Sequence, residues 1–400
     1  YSRNEAVFKS GGSYFDYLQK QPMLSKTHFI NVIDFLIDQS YLQSKKAPSY
    51  GESLRSDEPL SRHSSLIRAK NKLIDLLHSH EVSWAAVQID TDMPFIEIRS
   101  DKNRKVPFDP DKHPELRAMQ ANLQSINGVF DWLYVDLNIP DKELKRLKKR
   151  LSQARVNSDG KDGGNWLDGY REPFELNNRF VKRKFINDFQ TAGRFYGGWW
   201  QGCPKEYRKH ITIHGRKTAE LDYSTIQPHI FYAEKGLPVP DDSYLVGDWD
   251  IAHRDIYKKA FNQLINSKEE TRKKLSLLAP DVTPSKPPRG WADMTKTQKR
   301  KHRLKEFEKL TGNTYETLLE DMMAFHKPID DFFFSQSWKW LQRKDSDIAE
   351  KVVLRLIGKN IAALPIHDSF IIPLDDKLDN ILTTYKVMKA AFKEVVGVDC

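Results

Sequence analysis

The chain has 400 residues, enough for two or three domains, with 39% hydrophobic and 30% charged residues and a formal net charge of +9. The excess of Lys and Arg favours a polyanionic partner such as nucleic acid, while the lack of any apolar run of about 18 residues argues against a membrane partner. Two scattered cysteines, Cys203 and Cys400, make neither a disulfide framework nor a zinc site and fit a reducing, cytoplasmic setting.

The opening Tyr1-Ser2-Arg3-Asn4 carries neither a secretory apolar region nor an initiator Met, as expected of a fragment or a processed chain. Residues 1–157 read as a mainly helical domain with a small β hairpin. Thr27 caps an expected helix running to about Leu42, with Phe29, Ile33, Leu36 and Ile37 on one face. A second helix is expected from Ser65 to His80, with Leu66, Leu73, Leu76 and Leu77 inward. The alternation Phe95-Ile96-Glu97-Ile98-Arg99, a polar tip at Asp101–Arg104, then Val106 and Phe108 predict a hairpin. Helices followed by a basic-tipped hairpin suggest a winged-helix-like DNA binder, and a generic α+β scaffold is the plainer alternative. Asp141 to Arg155 predicts an amphipathic helix with Leu144, Leu147 and Leu151 inside and Lys145, Arg146, Lys148, Lys149 and Arg150 outside. The polar, Gly-rich segment 158–165 reads as a linker, leaving 166–400 as the second domain.

In that second domain Ile211–His214, Gly215-Arg216-Lys217 and Thr218–Asp222 predict strand, turn and strand. A helix from Ile226 to Lys235 follows and stops at Gly236. His253 to Asn266 is a further helix. From Thr271 to Lys305 the chain is basic and Pro-rich, read either as a solvated charge run or as a mobile insertion that contacts nucleic acid. A helix is expected at Ser346–Gly358, then a hairpin at Ala363–Pro373 with Asp368-Ser369 at its tip.

Two carboxylates draw attention because each stands at the end of an apolar strand-like segment. Asp222 is followed by Tyr223-Ser224-Thr225-Ile226-Gln227, and Asp368 lies between His367 and Ser369 with Phe370-Ile371-Ile372 beyond. Alone, Asp222 is an ordinary helix N-cap and Asp368 an ordinary turn former. As a pair they match the need of a two-metal phosphoryl-transfer site. Arg254, Lys258, Asn262 and Asn266 fall four residues apart and make one polar stripe, suited to gripping a triphosphate unless it is merely a wet helix face. Gly193-Arg194-Phe195-Tyr196-Gly197-Gly198-Trp199-Trp200 combines close-approach glycines with rings and a cation. Arg194 is the candidate phosphate or template contact there, and core packing is expected for at least one Trp. His210 and His214 lie four apart on an expected strand, which does not suit a zinc pair.

The three pieces, in this order, resemble family A DNA polymerases of the bacterial DNA polymerase I type. Motif A there reads Asp-Tyr-Ser-x-Ile-Glu, the fingers motif Arg-x-x-x-Lys-x-x-x-Phe-x-x-x-Tyr-Gly and motif C His-Asp-Glu. Here stand Asp222–Gln227, then Arg254, Lys258, Asn262 and Asn266, then His367-Asp368-Ser369. The His-Asp-Ser-Phe form is similar to single-subunit phage-type RNA polymerases, and the resemblance spans roughly Gly193 to Pro373.

The resemblance implies an α+β fold: a right-hand polymerase palm of antiparallel sheet and helices, helical fingers at about 240–330, and a helical N-terminal domain that binds nucleic acid or acts as a thumb. It implies two Mg²⁺ (or Mn²⁺) ions on Asp222, Asp368 and the Tyr223 carbonyl. Arg254 and Lys258 would bind the nucleotide, Lys258 also protonating the leaving group, with Asn262, Gln227 and Tyr223 around the nucleotide. His367, Arg194 and Asn266 would contact nucleic acid. The activity implied is DNA polymerase, a nucleotidyltransferase extending a primer on a DNA template with dNTPs. An RNA polymerase or primase using rNTPs is the alternative of the same fold. A metal-dependent nuclease and a non-catalytic DNA-binding replication protein are the alternatives of other classes. Gln227 stands where the family has a sugar-gating Glu, Asn262 and Asn266 replace stacking aromatics unless Phe261 takes that place, and the chain leaves no room for a proofreading domain. A reduced enzyme of bacterial or phage type is expected.

Overall fold

The computed structural model describes residues 5–9, 26–45, 64–80, 95–158, 174, 176, 178–282 and 288–399. The fold is mixed α and β with mainly antiparallel sheets. Strand β1 (Glu5–Lys9), helix α1 (Lys26–Asp38), strands β2 (Leu42–Lys45) and β3 (Ser64–Ala69) and helix α2 (Asn71–Ser79) come first. β3 pairs antiparallel with both β1 and β2. The helix expected from Ser65 is therefore a strand up to Ala69 and helical only from Asn71, and Leu42 opens β2 rather than closing α1. The run Ser64-Ser65-Leu66-Ile67 has the β-branched and hydroxyl content that a strand tolerates, and sheet pairing overrides its weak helical spacing.

Strands β4 (Ile96–Arg99) and β5 (Lys105–Val106) follow, then α3 (Glu115–Trp132), β6 (Val135–Leu137), α4 (Asp141–Ser158), β7 (Lys182–Ile186), β8 (Asp188–Tyr196), β9 (Ile211–Ile213) and β10 (Arg216–Asp222). β4 runs parallel to β7, with Ile96 opposite Arg183. The remaining elements are α5 (Ile226–Glu234), α6 (Arg254–Asn266), α7 (Lys296–Thr311), α8 (Tyr315–Phe325), α9 (Trp338–Ile357), β11 (Leu364–Ile366), β12 (Ser369–Pro373) and α10 (Asp379–Val396). α9 starts eight residues before the expected Ser346. The basic run 296–305 is helical, opened by a capping box between Thr295 and Gln298. The expected linker 158–165 lies, beyond its first residue, outside the described residues. No helix among the described residues is long and apolar enough to cross a membrane.

Two compact units interleave along the chain. The first takes the described residues up to Phe95 with Lys102–Val181 and Gly197–Lys217, and the second takes Ile96–Asp101, Lys182–Tyr196 and Thr218 onward. In the first unit α3 buries Leu116, Met119, Leu123, Ile126 and Phe130 at helical spacing. Buried Asn127 reads the backbone of Val181 with both amide atoms, at 2.8 and 2.7 Å. Trp199 and Trp200 are both core residues, Trp200 edge-on to Phe130. β9 turns into β10 through His214 and Gly215, both with positive φ, the backbone of a tight two-residue hairpin turn.

The second unit contains two ladders. β12 pairs antiparallel with β11 on one side and with Thr218–Asp222 of β10 on the other. β7 pairs antiparallel with β8, whose inner side is covered by α9. Gly193 is an extra residue in that ladder, since Arg194 faces Lys184 and Ala192 faces Phe185. Its φ is +83°, and a Cβ there would stand 2.6 Å from the Phe185 ring, so only Gly serves. The bulge turns the Gly193 carbonyl toward fully buried Arg183, whose Nε donates to it at 2.7 Å. Nη1 of Arg183 donates to Glu350 at 3.0 Å, and Nη2 donates to Ser346 at 2.6 Å and Asp347 at 2.9 Å.

Between α6 and α8 the core closes around His326, which meets the rings of Tyr232, Phe261, Phe325 and Phe333. The Ser243 carbonyl can only accept, so Nε2–H donates to it at 2.7 Å, and Nδ1 then accepts from the Tyr232 hydroxyl at 3.0 Å. Burial holds this imidazole neutral, down to about 4, the Ser243 bond opposing only in part. An unfolded His titrates near 6.5, so the folded state is fully stabilised above that value and loses stability as pH falls from about 6.5 to 4, by on the order of 3 kcal/mol in all. Urea melts of His326→Gln are expected to show a smaller rise of stability with pH between 5 and 6.5 than the wild type, the opposing contribution of the Asp345 carboxyl, raised to about 6, being common to both; an unchanged difference between the two pH values would count against a buried neutral imidazole.

Candidate active site

The expected residues of the second unit gather at one end of its β10–β12 ladder. Asp222 faces Ser369 across that ladder, and the Tyr223 amide donates to the Asp368 carbonyl at 3.4 Å. The sequence makes this end with a continuous apolar run: Phe370, Ile371 and Ile372 are all buried, and His367 turns the chain with a φ of +55°. His367 and Asp368 are half-buried, and Asp222 is exposed. Opposed residues of an antiparallel pair project to the same face, so Asp222 and Ser369 share it, together with Glu220 two residues back. Buried Ser369 donates its hydroxyl to Glu220 at 2.7 Å, with the Ile366 carbonyl 3.1 Å from the same oxygen. Three carboxylates, Glu220, Asp222 and Asp368, therefore belong to this strand end.

Tyr223 points the other way. Its ring is buried against Phe392 and its hydroxyl donates to the Met388 carbonyl at 2.7 Å, which pins the Asp222 backbone to α10. Thr225 Oγ1 lies 3.0 Å from His229 one turn further on. Gln227 is half-buried, and its carbonyl oxygen is buried without a hydrogen-bond partner.

The polar stripe of α6 meets the carboxylates around Tyr244. Arg254 donates through Nε to Asp242 at 2.5 Å, with its guanidinium 5.1 Å from the Tyr244 ring centre, and Lys258 Nζ is 5.8 Å from the same ring. Burial pushes the Tyr244 hydroxyl up. Arg254 pulls it back, and the charges of Asp368, Asp242 and Asp222 add to the rise. One phenol thus lies within the field of both expected carboxylates and beneath both expected cations. Further along α6, Asn262 has a buried carbonyl oxygen with no partner, Phe261 is fully buried among Phe231, Tyr244, His326 and Phe333, and Asn266 is exposed.

Arg194 is mostly buried and binds Asp345 of α9, through Nε to Oδ2 at 3.0 Å and through Nη2 to the same oxygen. Burial pushes the Asp345 carboxyl up to about 6 against the pull of Arg194, and the Asp368 charge adds to the rise. The charges of Asp345 and Asp368 in turn hold the guanidinium of Arg194 in its protonated form despite burial. Glu220, Tyr244, Asp242 and Asp345 were not singled out from the sequence. For Asp345 a signal existed: it falls on the apolar stripe with Leu341, Ile348, Ala349 and Val352, where a carboxylate needs a buried partner. His210 and His214 are both exposed at the two ends of β9, in the first unit.

The carboxylates at the ladder end, Glu220, Asp222 and Asp368, are oxygen donors of the kind a hard cation takes, with the His367 imidazole beside them. Among the described residues no three of His, Cys, Asp and Glu gather into a metal-holding group. Mg²⁺ commonly uses one or two carboxylates and keeps several waters, so carboxylates such as Asp222 and Asp368 are of the chemical kind it takes.

A double-mutant cycle tests the Arg194–Asp345 pair. Arg194→Met and Asp345→Leu are each expected to cost about 3 kcal/mol, by leaving a buried charge unpaired, and the double variant clearly less than their sum; additive losses in guanidinium melts would show the two side chains to be uncoupled. No protein-family model matches the chain, and no curated protein matches it.

Proposed function

We propose that the protein is a template-directed nucleotidyltransferase of the polymerase palm-and-fingers type, most simply a DNA polymerase that extends a 3′ end with release of pyrophosphate. The observation that carries the reading is geometric: Asp222 and Asp368, 146 residues apart, stand at one end of the β10–β12 ladder, and Arg254 and Lys258 of one helix both lie over the Tyr244 ring. In this reading β10, β11 and β12 belong to the palm and α6 to the fingers. Between Asp241 and Asp331 the described residues are helical or irregular apart from one isolated bridge at Lys268, as helical fingers require.

Asp222 and Asp368 would hold Mg²⁺. Bound there, the ions would supply activation of the 3′ hydroxyl and neutralisation of the leaving diphosphate. The chain's own residues do the rest. Arg254 is aimed by Asp242 and propped on the Tyr244 ring, which limits its rotamers before nucleotide arrives. Lys258, one turn along, presents an ammonium that binds the triphosphate and can give a proton to the departing oxygen. Gln227 offers a buried carbonyl oxygen in want of a donor, which a sugar hydroxyl can supply. His367, half-buried beside Asp368 with its ring 6.4 Å from that of Tyr196, would lie along the primer terminus.

Primer extension on a DNA template with Mg²⁺ and each nucleotide set tests the reading. Asp222→Asn and Asp368→Asn are expected to lower extension by a factor on the order of 10³ or more while template binding stays within about two-fold. Full extension by either variant refutes the assignment. Incorporation of rNTPs in preference to dNTPs makes the product RNA, and DNA cleavage without added nucleotide makes the protein a nuclease.

A further inference from the structure

We propose that the first unit carries a docking surface for single-stranded nucleic acid, built from Trp132, Tyr134 and the cations at the β9–β10 turn. Trp132 is 69% exposed, more than any other aromatic side chain among the described residues, and Tyr134 is 56% exposed. They flank buried Leu133 where α3 ends and β6 begins, so the two rings stand outside the core that Phe130 and Leu133 close. The β6–β9 register sets Val135 opposite Ile213 and Asp136 opposite Thr212, and the His214 amide donates to the Tyr134 carbonyl at 2.7 Å. Thr212 in turn faces Lys217 across the β9–β10 turn. Tyr134, His214 and Lys217 therefore lie on one face of this small sheet.

The rim is cationic. Lys209, His210, His214, Arg216 and Lys217 are all exposed, and among the described residues no carboxylate pairs with Lys209, Arg216 or Lys217. The acidic groups close by are engaged. Asp136 accepts from the Tyr134 hydroxyl at 3.3 Å and from the Leu137 amide at 2.9 Å, and Asp131 lies 3.7 Å from Arg179.

Two wet aromatic rings beside a row of cations match a strand whose bases are unstacked and whose phosphates lie outward. Each base stacked on such a ring contributes about 1–3 kcal/mol, and the cations add a salt-dependent term. A duplex keeps its base faces covered and has nothing to lay on Trp132. A protein partner would be expected to meet few Lys side chains at the centre of its interface. The inference rests on the proposed function only for the class of ligand: neither Asp222 nor Asp368 takes part in it.

The test uses the whole chain and a fluorescein-labelled oligodeoxythymidylate, with binding read by anisotropy. The wild type is expected to bind it with quenching of Trp fluorescence. Trp132→Ala/Tyr134→Ala is expected to bind at least about ten-fold more weakly, and Trp132→Phe/Tyr134→Phe, which keeps both rings, close to wild type. Arg216→Gln/Lys217→Gln is expected to reduce the salt slope by about one to two. Wild-type affinity in the double Ala variant, or an equal loss in the double Phe variant, overturns the proposal, as does a first-unit partner protein that displaces no oligonucleotide. The catalytic reading fails separately: Asp368→Asn is expected to keep single-strand binding, and a wild type that binds the oligonucleotide but extends no primer removes the enzyme and leaves this surface standing.

Discussion

Much of the second unit depends on one buried cation. Arg183 enters the interior from β7 with its guanidinium 1% exposed, a state that is tolerable only when its donors are met by fixed acceptors. Two of those acceptors, Asp347 and Glu350, and a third, Ser346, lie on α9. The fourth is the Gly193 carbonyl, exposed by the bulge of β8. Ser346 donates to the same carbonyl at 2.8 Å, so helix and strand are joined twice at one atom. Arg343 also binds Asp347, at 3.0 Å, and the four charges of the cluster cancel. A cluster so balanced contributes little net stability compared with an apolar replacement, but it admits one register of α9 on β8. That register decides where Arg194 and Asp345 meet, one residue beyond the bulge and one before Ser346.

The carboxylate end of the other ladder is likewise built on a fixed backbone. Ile366, Ser369, Phe370, Ile371 and Ile372 are buried, so the hairpin cannot slide without exposing them. Tyr223 locks the far side through Met388 and Phe392, leaving the backbone around Asp222 with little freedom while its side chain reaches solvent. Any chemistry that needs two oxygens held in place before a ligand arrives gains from such anchoring, because the ordering cost is met during folding.

What the sequence disclosed followed the range of the interactions concerned. The β9–β10 and β11–β12 hairpins were legible because apolar runs and turn residues act over a few positions, although the first turn falls at His214-Gly215 instead of 215–217 and the second at His367-Asp368, one residue before the expected tip. α5 was legible for the same reason, with Ile226, Ile230 and Phe231 on one face and Gly236 beyond its end. The start of α9 was not, since Trp338 to Lys344 carries bulky and basic residues whose helical state depends on packing. Nor was β3, whose six residues fit either period. The Arg183 cluster was invisible because its partners lie more than 160 residues away and pair by shape rather than by motif. Tyr244 escaped because it stands in an irregular segment, where no periodicity marks a side chain as buried.

The charges near Asp368 show why Arg194 and Arg254 have different uses. Arg194 is sandwiched between β8 and α9, and its opposite charge is supplied by Asp345 inside the same unit. The pair is locally neutral, so the field at Asp368 is that of a carboxylate beside a dipole. Arg254 is also paired, with Asp242, but its side chain is 31% exposed and rests on a ring face instead of being enclosed. A half-buried pair open to solvent is only modestly held, and a polyphosphate offering several oxygens could take the guanidinium from a single carboxylate. Burial thus separates a cation committed to holding helix on strand from one that can change partners, and the proposed nucleotide-binding role would call for the second kind.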